Sequence, residues 1–365
     1  MRRALFICLL AICAAGGVQA REVSPAPPVT EVLKATLVGY VRPGYSGFED
    51  AVVALQGSLE TLCAAPSQAG LQHVRSRFRS VVARWAGVEW WRIGPVMADN
   101  RLERVLFFPD RKGTGRKQVI AALSDRDQSV LSASSLSGKS VAMQGLGALD
   151  YILFGKGSEA LTSPDALHRC GFARAVSANL AGLAGEIVAG WGEDTRLTDL
   201  FVEPGSENPL FRTDREALTI LLGQMIHGLE ALRDTRLGAF LDGEDPARDR
   251  PRSAPLWRSG TSLLSIAEGL DGLERLFTRS GIERVVEAGN PKLGDMIRFE
   301  FAQAINTARA LDELQRPVEQ LLQEPETRAR LVYLRYAIKT IITRLDTEFA
   351  AAAGLTVGFS FGDGD

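Results

Sequence analysis

Histidine is scarce in this chain. Its 365 residues include three, His73, His168 and His227, and no His-Glu-x-x-His pair. A zinc peptidase built on two imidazoles one helical turn apart is therefore poorly supported. Cysteine is almost as rare, with four residues. Positive charge is not in excess, since 42 Lys and Arg stand against 44 Asp and Glu, for a net charge of −2. A nucleic-acid binder needs a basic surface, so that class reads poorly. Alternating apolar and polar positions, the mark of half-buried strands, are almost absent. After the first twenty residues no apolar run is long enough to read as a membrane span.

What is present begins with an export signal. Arg2 and Arg3 precede an apolar core from Ala4 to Ala15, and Val18-Gln-Ala20 is a small-x-small cleavage site. The expected mature start is Arg21. Cys13 follows Leu10-Ala11-Ile12, a poor lipoprotein box, so release into the periplasm is expected rather than lipid anchoring. Losing residues 1–20 removes two arginines and no acid, which takes the net charge to −4. The mature chain, about 345 residues, suits two domains, and 45% hydrophobic residues suffice for real cores. Cys63 and Cys170 are the cysteines that remain. In an oxidising compartment they form a disulfide, the favoured reading, or stay as two separate buried thiols.

Apolar spacing is helical almost throughout, which predicts an all-α fold. Leu218, Leu221, Met225, Leu229 and Leu232 advance by threes and fours, as do Leu263, Ile266, Leu270, Leu273 and Phe277. The series Phe301, Ile305, Ala308, Leu311 and the series from Leu331 to Phe349 do the same. In the first half helices are expected over roughly 29–40, 46–64, 68–87, 141–154 and 164–191. Gly, Pro and Asn in 192–213 read as a linker between a bundle over 21–191 and a second over 214–365. Residues 242–255 read as a charged, Pro-rich surface loop, and 92–117 as an irregular stretch.

The most informative segment is Gly145-Leu-Gly-Ala-Leu-Asp-Tyr-Ile-Leu-Phe-Gly155. It resembles the signature helix of the imelysin family, Gly-x-His-x-x-Glu followed by an apolar run ending in Gly. The His position holds Gly147 and the Glu position holds Asp150. Residues three apart share a helix face, so His and carboxylate at that spacing could chelate one metal ion. Gly147 has nothing to donate. Further blocks extend the likeness over nearly the whole mature chain: Glu89-Trp-Trp-Arg-Ile-Gly-Pro95, Phe107-Phe-Pro-Asp110, Leu232-Arg-Asp-Thr-Arg-Leu237, Pro255-Leu-Trp-Arg-Ser-Gly260 and the tail from Gly354 to Asp365. The resemblance implies two related helical bundles in tandem. It also implies a metallopeptidase label, which does not pass to this chain without its His, and relatives in periplasmic iron uptake.

Each candidate site has a plain structural alternative. Asp150 reads as a metal ligand or polar anchor in a cleft between bundles, or as a carboxylate paired with a nearby Arg. His227 and Glu230 form another His-x-x-Glu that does not align with the family motif; an incidental pair on a half-buried face is the simpler reading. Arg233, Asp234 and Arg236 end one helix while Arg258, Ser259 and Ser262 open the next, where free backbone N–H groups favour an anion. With Trp90, Trp91, Arg92 and Trp257 they could line one cleft, or fix a helix connection and pack the junction. Gly358-Phe-Ser-Phe-Gly362 lacks the downstream acid and His of a nucleophile elbow. Ala133–Ser140 is a Ser/Gly loop rather than a phosphate loop. The expected function is a non-catalytic periplasmic binding protein linked to iron uptake. Its ligand, a metal (iron or another divalent ion) or small anion, would lie between the bundles. A metallopeptidase and an envelope assembly partner are the alternatives.

Overall fold

A computed structural model describes residues 26–287 and 289–356. The export signal, Cys13, Gly358–Gly362 and most of the tail block lie outside the described residues. Among those described there is no strand, and no helix is long and apolar enough to cross a membrane.

The first two expected helices are one rod. Helix α1 (Val29–Thr36) runs through a π-helical turn, Leu37–Val41, into α2 (Arg42–Ala64). Pro43 and Gly44 look like a break in sequence, because proline has no N–H and its ring collides with the carbonyl four residues back. The chain avoids the break by widening: the Arg42 N–H reaches Leu37 O, five residues earlier, and Pro43 falls at the start of the new register. The rod buries Phe48, Val52, Leu55, Leu59 and Leu62, a stripe at helical spacing, against α3 (Gln68–Ala86) and the later α8. Ser67 starts α3 by accepting the Gly70 N–H at 3.1 Å.

The stretch read as irregular holds α4 (Arg101–Val105) and the start of α5 (Thr114–Ser124), whose first N–H groups are capped by Asp110 at 2.6 and 3.0 Å. Helix α6 (Ala133–Ser137) occupies the Ser/Gly loop, capped by Ser132. The signature helix, expected from 141, begins later: a single 3₁₀ turn spans Val141–Met143, and α7 is Leu146–Phe154. Helix α8 (Leu167–Gly190) follows. The region read as a linker carries α9 (Arg196–Val202) and seats Phe201 and Phe211 in an aromatic cluster with Trp91 and Trp191, ring centroids 5.5–5.6 Å apart at Phe201. Asn208 closes that segment, donating to Leu200 O and Glu203 O and accepting from Leu210 N and Phe211 N.

In the second half α10 (Asp214–Glu230) is started by Thr213 and Glu216 and runs into a second π-helical turn, Ala231–Leu237. The charged loop is held by Arg328, which donates to Asp249 at 2.7 Å and to Asp242 O at 2.6 Å. Helices α11 (Ser262–Arg279), α12 (Leu293–Asp312), α13 (Val318–Gln323) and α14 (Pro325–Thr343) follow, α12 packing on α11 and α14 and α13 on α14, and a third π-helical turn, Arg344–Phe349, leads to α15 (Ala350–Ala352). The halves meet where α3 lies on α11 and α1 lies on α10. Gly272 permits the closest approach, since a Cβ there would stand 2.2 Å from Gly87 O.

Cys63 and Cys170 are bonded, with Cα atoms 5.8 Å apart, tying the end of α2 to the start of α8. Separate thiols are thereby set aside. The bond closes a loop with a sequence separation of 107, and cross-links over loops of this order stabilise by about 2–5 kcal/mol, chiefly by restricting the unfolded chain. Replacing both cysteines by Ala is expected to lower stability by that amount in urea unfolding, with the helical circular dichroism of the folded protein unchanged.

Candidate functional site

The signature carboxylate is not turned to solvent. The Asp150 side chain is 3% exposed; its Oδ1 accepts the Ser259 backbone N–H at 2.9 Å and its Oδ2 lies 3.5 Å from Arg258 Nη1. Burial pushes the Asp150 carboxyl above the usual range, opposed by the Ser259 hydrogen bonds and the Arg258 charge. Arg258 stacks on Trp257 at 4.3 Å and faces Tyr151, the neighbour of Asp150, at 5.3 Å. The loop that delivers these groups is tightly wound. Leu256 (φ 50°) and Gly260 (φ 68°) are left-handed, the Ser262 hydroxyl donates to Pro255 O at 2.6 Å, and the Ser259 hydroxyl donates to Leu256 O at 2.9 Å. A left-handed Leu costs about 1–2 kcal/mol, and the Asp150–Ser259 bond is one of the contacts that hold it. Asp150, Trp257, Arg258 and Ser259 thus converge, one from the first half and three from the second.

The three signature glycines differ in cause. A Cβ on Gly145 would lie 2.2–2.3 Å from the carbonyls of Val105 and Arg104, so this residue lets α7 start against the end of α4 and explains why the helix begins at Leu146. A Cβ on Gly155 would meet Tyr151 O at 2.5 Å. Gly147 is exposed, and a Cβ there would meet nothing within 4 Å. Its missing side chain is a chemical difference from the family motif that packing does not require.

The remaining candidates sit elsewhere. Arg236 is buried and donates from Nη2 to Glu89 Oε2 at 2.6 Å, its guanidinium between Phe108 (4.7 Å) and Trp90 (5.5 Å). Its Nη1 has no acceptor among the described residues. Glu89, which the sequence reading passed over, is pushed above the usual carboxylate range by burial, with Arg236 and Arg92 drawing it down. Arg233 pairs with its neighbour Asp234 at 2.6–2.8 Å on the surface side of the same π-helical turn. Trp91 is fully buried in the aromatic cluster, and the exposed Arg92 donates its backbone N–H to Gln224 at 2.8 Å. Asp150 takes its polar partners from Ser259 and Arg258, not from this pair. His227 and Glu230 are hydrogen-bonded at 3.1 Å. His73 accepts from Arg77 at 3.4 Å, and His168 meets Asp127 O at 2.9 Å.

The imelysin family model matches residues 41–345. This chain belongs to the imelysin family. An imelysin-like protein from Psychrobacter arcticum 273-4 superposes with a TM-score of 0.73 at 19% identity, covering 92% of this chain and all of that one. A protein from Parabacteroides distasonis ATCC 8503, provisionally named an iron-regulated protein A precursor, superposes with a TM-score of 0.68 at 15% identity, covering 90% and 97%. At such identities the likeness shows a shared fold. Among curated proteins none matches in sequence.

Imelysins of the full motif imply a metal held by His and Glu, and that donor set does not fit here. Gly147 offers no ligand, both Asp150 oxygens are engaged, and a cation at Asp150 would lie beside the Arg258 guanidinium. Among the described residues no group of three or more His, Cys, Asp or Glu is placed to hold a metal ion.

The glycines give a direct check. Gly147→Ala is expected to stabilise the protein by about 0.4–1 kcal/mol, because it restricts only the unfolded chain. Gly145→Ala is expected to cost about 1–3 kcal/mol by overpacking against backbone. Urea midpoints of the two variants should move in opposite directions.

Proposed function

We propose that this imelysin-family chain is a non-catalytic binding protein of the periplasm, and that its degenerate motif has become a latch between the two halves. The observation that carries the reading is Asp150 itself: a buried carboxylate from α7 bonded to Ser259 N–H and facing Arg258 across the joint. A carboxylate committed to a backbone N–H and a guanidinium fixes the relative position of two bodies, and is withdrawn from service as a ligand for a bare cation. The ligand class this favours is a small organic anion. A link to iron, hinted at by the name of the Parabacteroides neighbour, an iron-regulated protein precursor, enters as physiological context; we read it as iron uptake, with iron arriving as an anionic complex rather than as a bare ion. Nothing in the geometry favours the peptidase alternative, because His227 and Glu230 form a pair without a third ligand among the described residues.

Thermal unfolding distinguishes these roles. Free iron, copper and zinc are expected to leave the midpoint of the wild type and of Asp150→Asn unmoved. Members of a panel of small carboxylates, ferric citrate included, should raise it; a ligand at 100 times its Kd adds about 2.7 kcal/mol. A rise with a free metal ion that Asp150→Asn abolishes would contradict the reading, as would cleavage of an unfolded protein substrate.

A further inference from the structure

A second meeting place of the halves is open. Between the α1–α2 rod, α3 and α11 lies a cleft of about 480 Å³, lined by Gly39, Tyr40, Gly44, Arg84, Gly87, Glu268 and Arg275 among others. Volumes of a few hundred Å³ suit small-molecule ligands. The Tyr40 hydroxyl donates to Gly87 O at 3.0 Å, which fixes the ring and leaves its oxygen able to accept.

The charged walls do not satisfy one another. The Arg84 guanidinium makes no hydrogen bond or ion pair among the described residues; burial and the Asp271 charge push the Glu268 carboxyl above the usual range, with Arg309, Arg275 and Arg84 drawing it down. Arg275 commits Nη1 to Asp271 at 2.8 Å. Glu268 accepts no hydrogen bond among the described residues, and its nearest cation is Arg309 at 3.8 Å. Arg309 in turn is bonded to Asp271 at 2.7 Å. Arg84 and Glu268 line one cleft yet form no hydrogen bond or ion pair with each other among the described residues, which leaves both with capacity for a ligand. Among the lining residues Arg84 and Arg275 stand against Glu268, one surplus positive charge.

We infer that this cleft is the ligand site, and that its ligand is a small zwitterion with an additional carboxylate, such as an acidic amino acid. The guanidiniums of Arg84 and Arg275 would take its carboxylates, whose planar geometry they match, and Glu268 would take its ammonium. The surplus charge of the cleft favours a ligand of net charge −1. This inference rests on the binding-protein reading and gives that reading a place and a chemistry apart from Asp150.

The test is calorimetric titration of the protein with L-glutamate, and with glutarate, which keeps both carboxylates and lacks the ammonium. Saturable binding of glutamate is expected, weakened tenfold or more by Arg84→Ala and by Glu268→Gln, since one charge-assisted hydrogen bond is worth at least a factor of about ten. Glutarate should bind more weakly and be indifferent to Glu268→Gln. Arg84 is exposed and unpartnered, so the unliganded Arg84→Ala protein should melt with the wild type. Glutamate binding that ignores both substitutions, or no saturable glutamate binding at millimolar concentration while another carboxylate raises the midpoint, overturns the cleft assignment and leaves the binding-protein reading in place. If no carboxylate of the panel acts, the underlying reading falls as well.

Discussion

The arrangement of the two halves depends on one buried ion pair. Glu89, just past the end of α3, and Arg236, in the π-helical turn after α10, meet at 2.6 Å with side chains 5% and 8% exposed. Two charges taken out of water must compensate each other, and removing one partner leaves the other stranded at a cost of about 3–5 kcal/mol. The surroundings fit that demand. Phe108 and Trp90 stack on the guanidinium. Tyr40 bonds to Gly87 O, Tyr45 to Trp91 O, and Gln224 to the Arg92 N–H. The short turn from Gly87 to Arg92 is thus gripped by the first rod on one side and by α10 on the other, with the ion pair at its centre. Two of the grips, Tyr40 and Arg236, come from π-helical turns, where widening of the helix changes the direction in which the following side chains point.

Asp150 repeats the same logic with a different partner. It too is a carboxylate from the first half, buried, and met by an arginine from the second. In a full imelysin motif a carboxylate and an imidazole three residues apart would share a metal. Here Gly147 supplies no imidazole, and the carboxylate instead accepts a backbone N–H in a strained loop. A motif can lose one ligand and keep its remaining residue under constraint, because that residue also holds structure. The family assignment and the absence of the family's donor set are therefore compatible.

Much of the fold was legible in the sequence because helices announce themselves locally. The stripes of α10, α11, α12 and α14 needed only spacing, and Cys63 with Cys170 needed only the loss of the other two cysteines. The misreadings have specific causes. The helices expected over 29–40 and 46–64 are one rod, because periodicity cannot foresee a π-helical turn that absorbs the N–H missing at Pro43. Helix α9 inside the segment read as a linker was not expected, because Gly, Pro and Asn there outnumber its anchors, Phe201 and Phe211. The signature helix was started too early because the contact that delays it, Gly145 against the carbonyls of Arg104 and Val105, lies about forty residues away in the chain. At the site, Asp150, Arg258 and Ser259 could be named from motif blocks. Glu89 was missed because its partner is 147 residues distant, and no local pattern encodes a long-range pair. The Arg84–Glu268 cleft was hidden for the same reason.

The central claim is that the halves are fixed by compensating buried charges. It is tested most directly by a double-mutant cycle on Glu89→Gln and Arg236→Met, followed by urea unfolding. Each single substitution is expected to cost about 3–5 kcal/mol, and the double variant less than the sum by about 2 kcal/mol, within the range measured for residues in contact. Single losses below about 1 kcal/mol that simply add would contradict the account, since they would describe a surface pair and not a keystone.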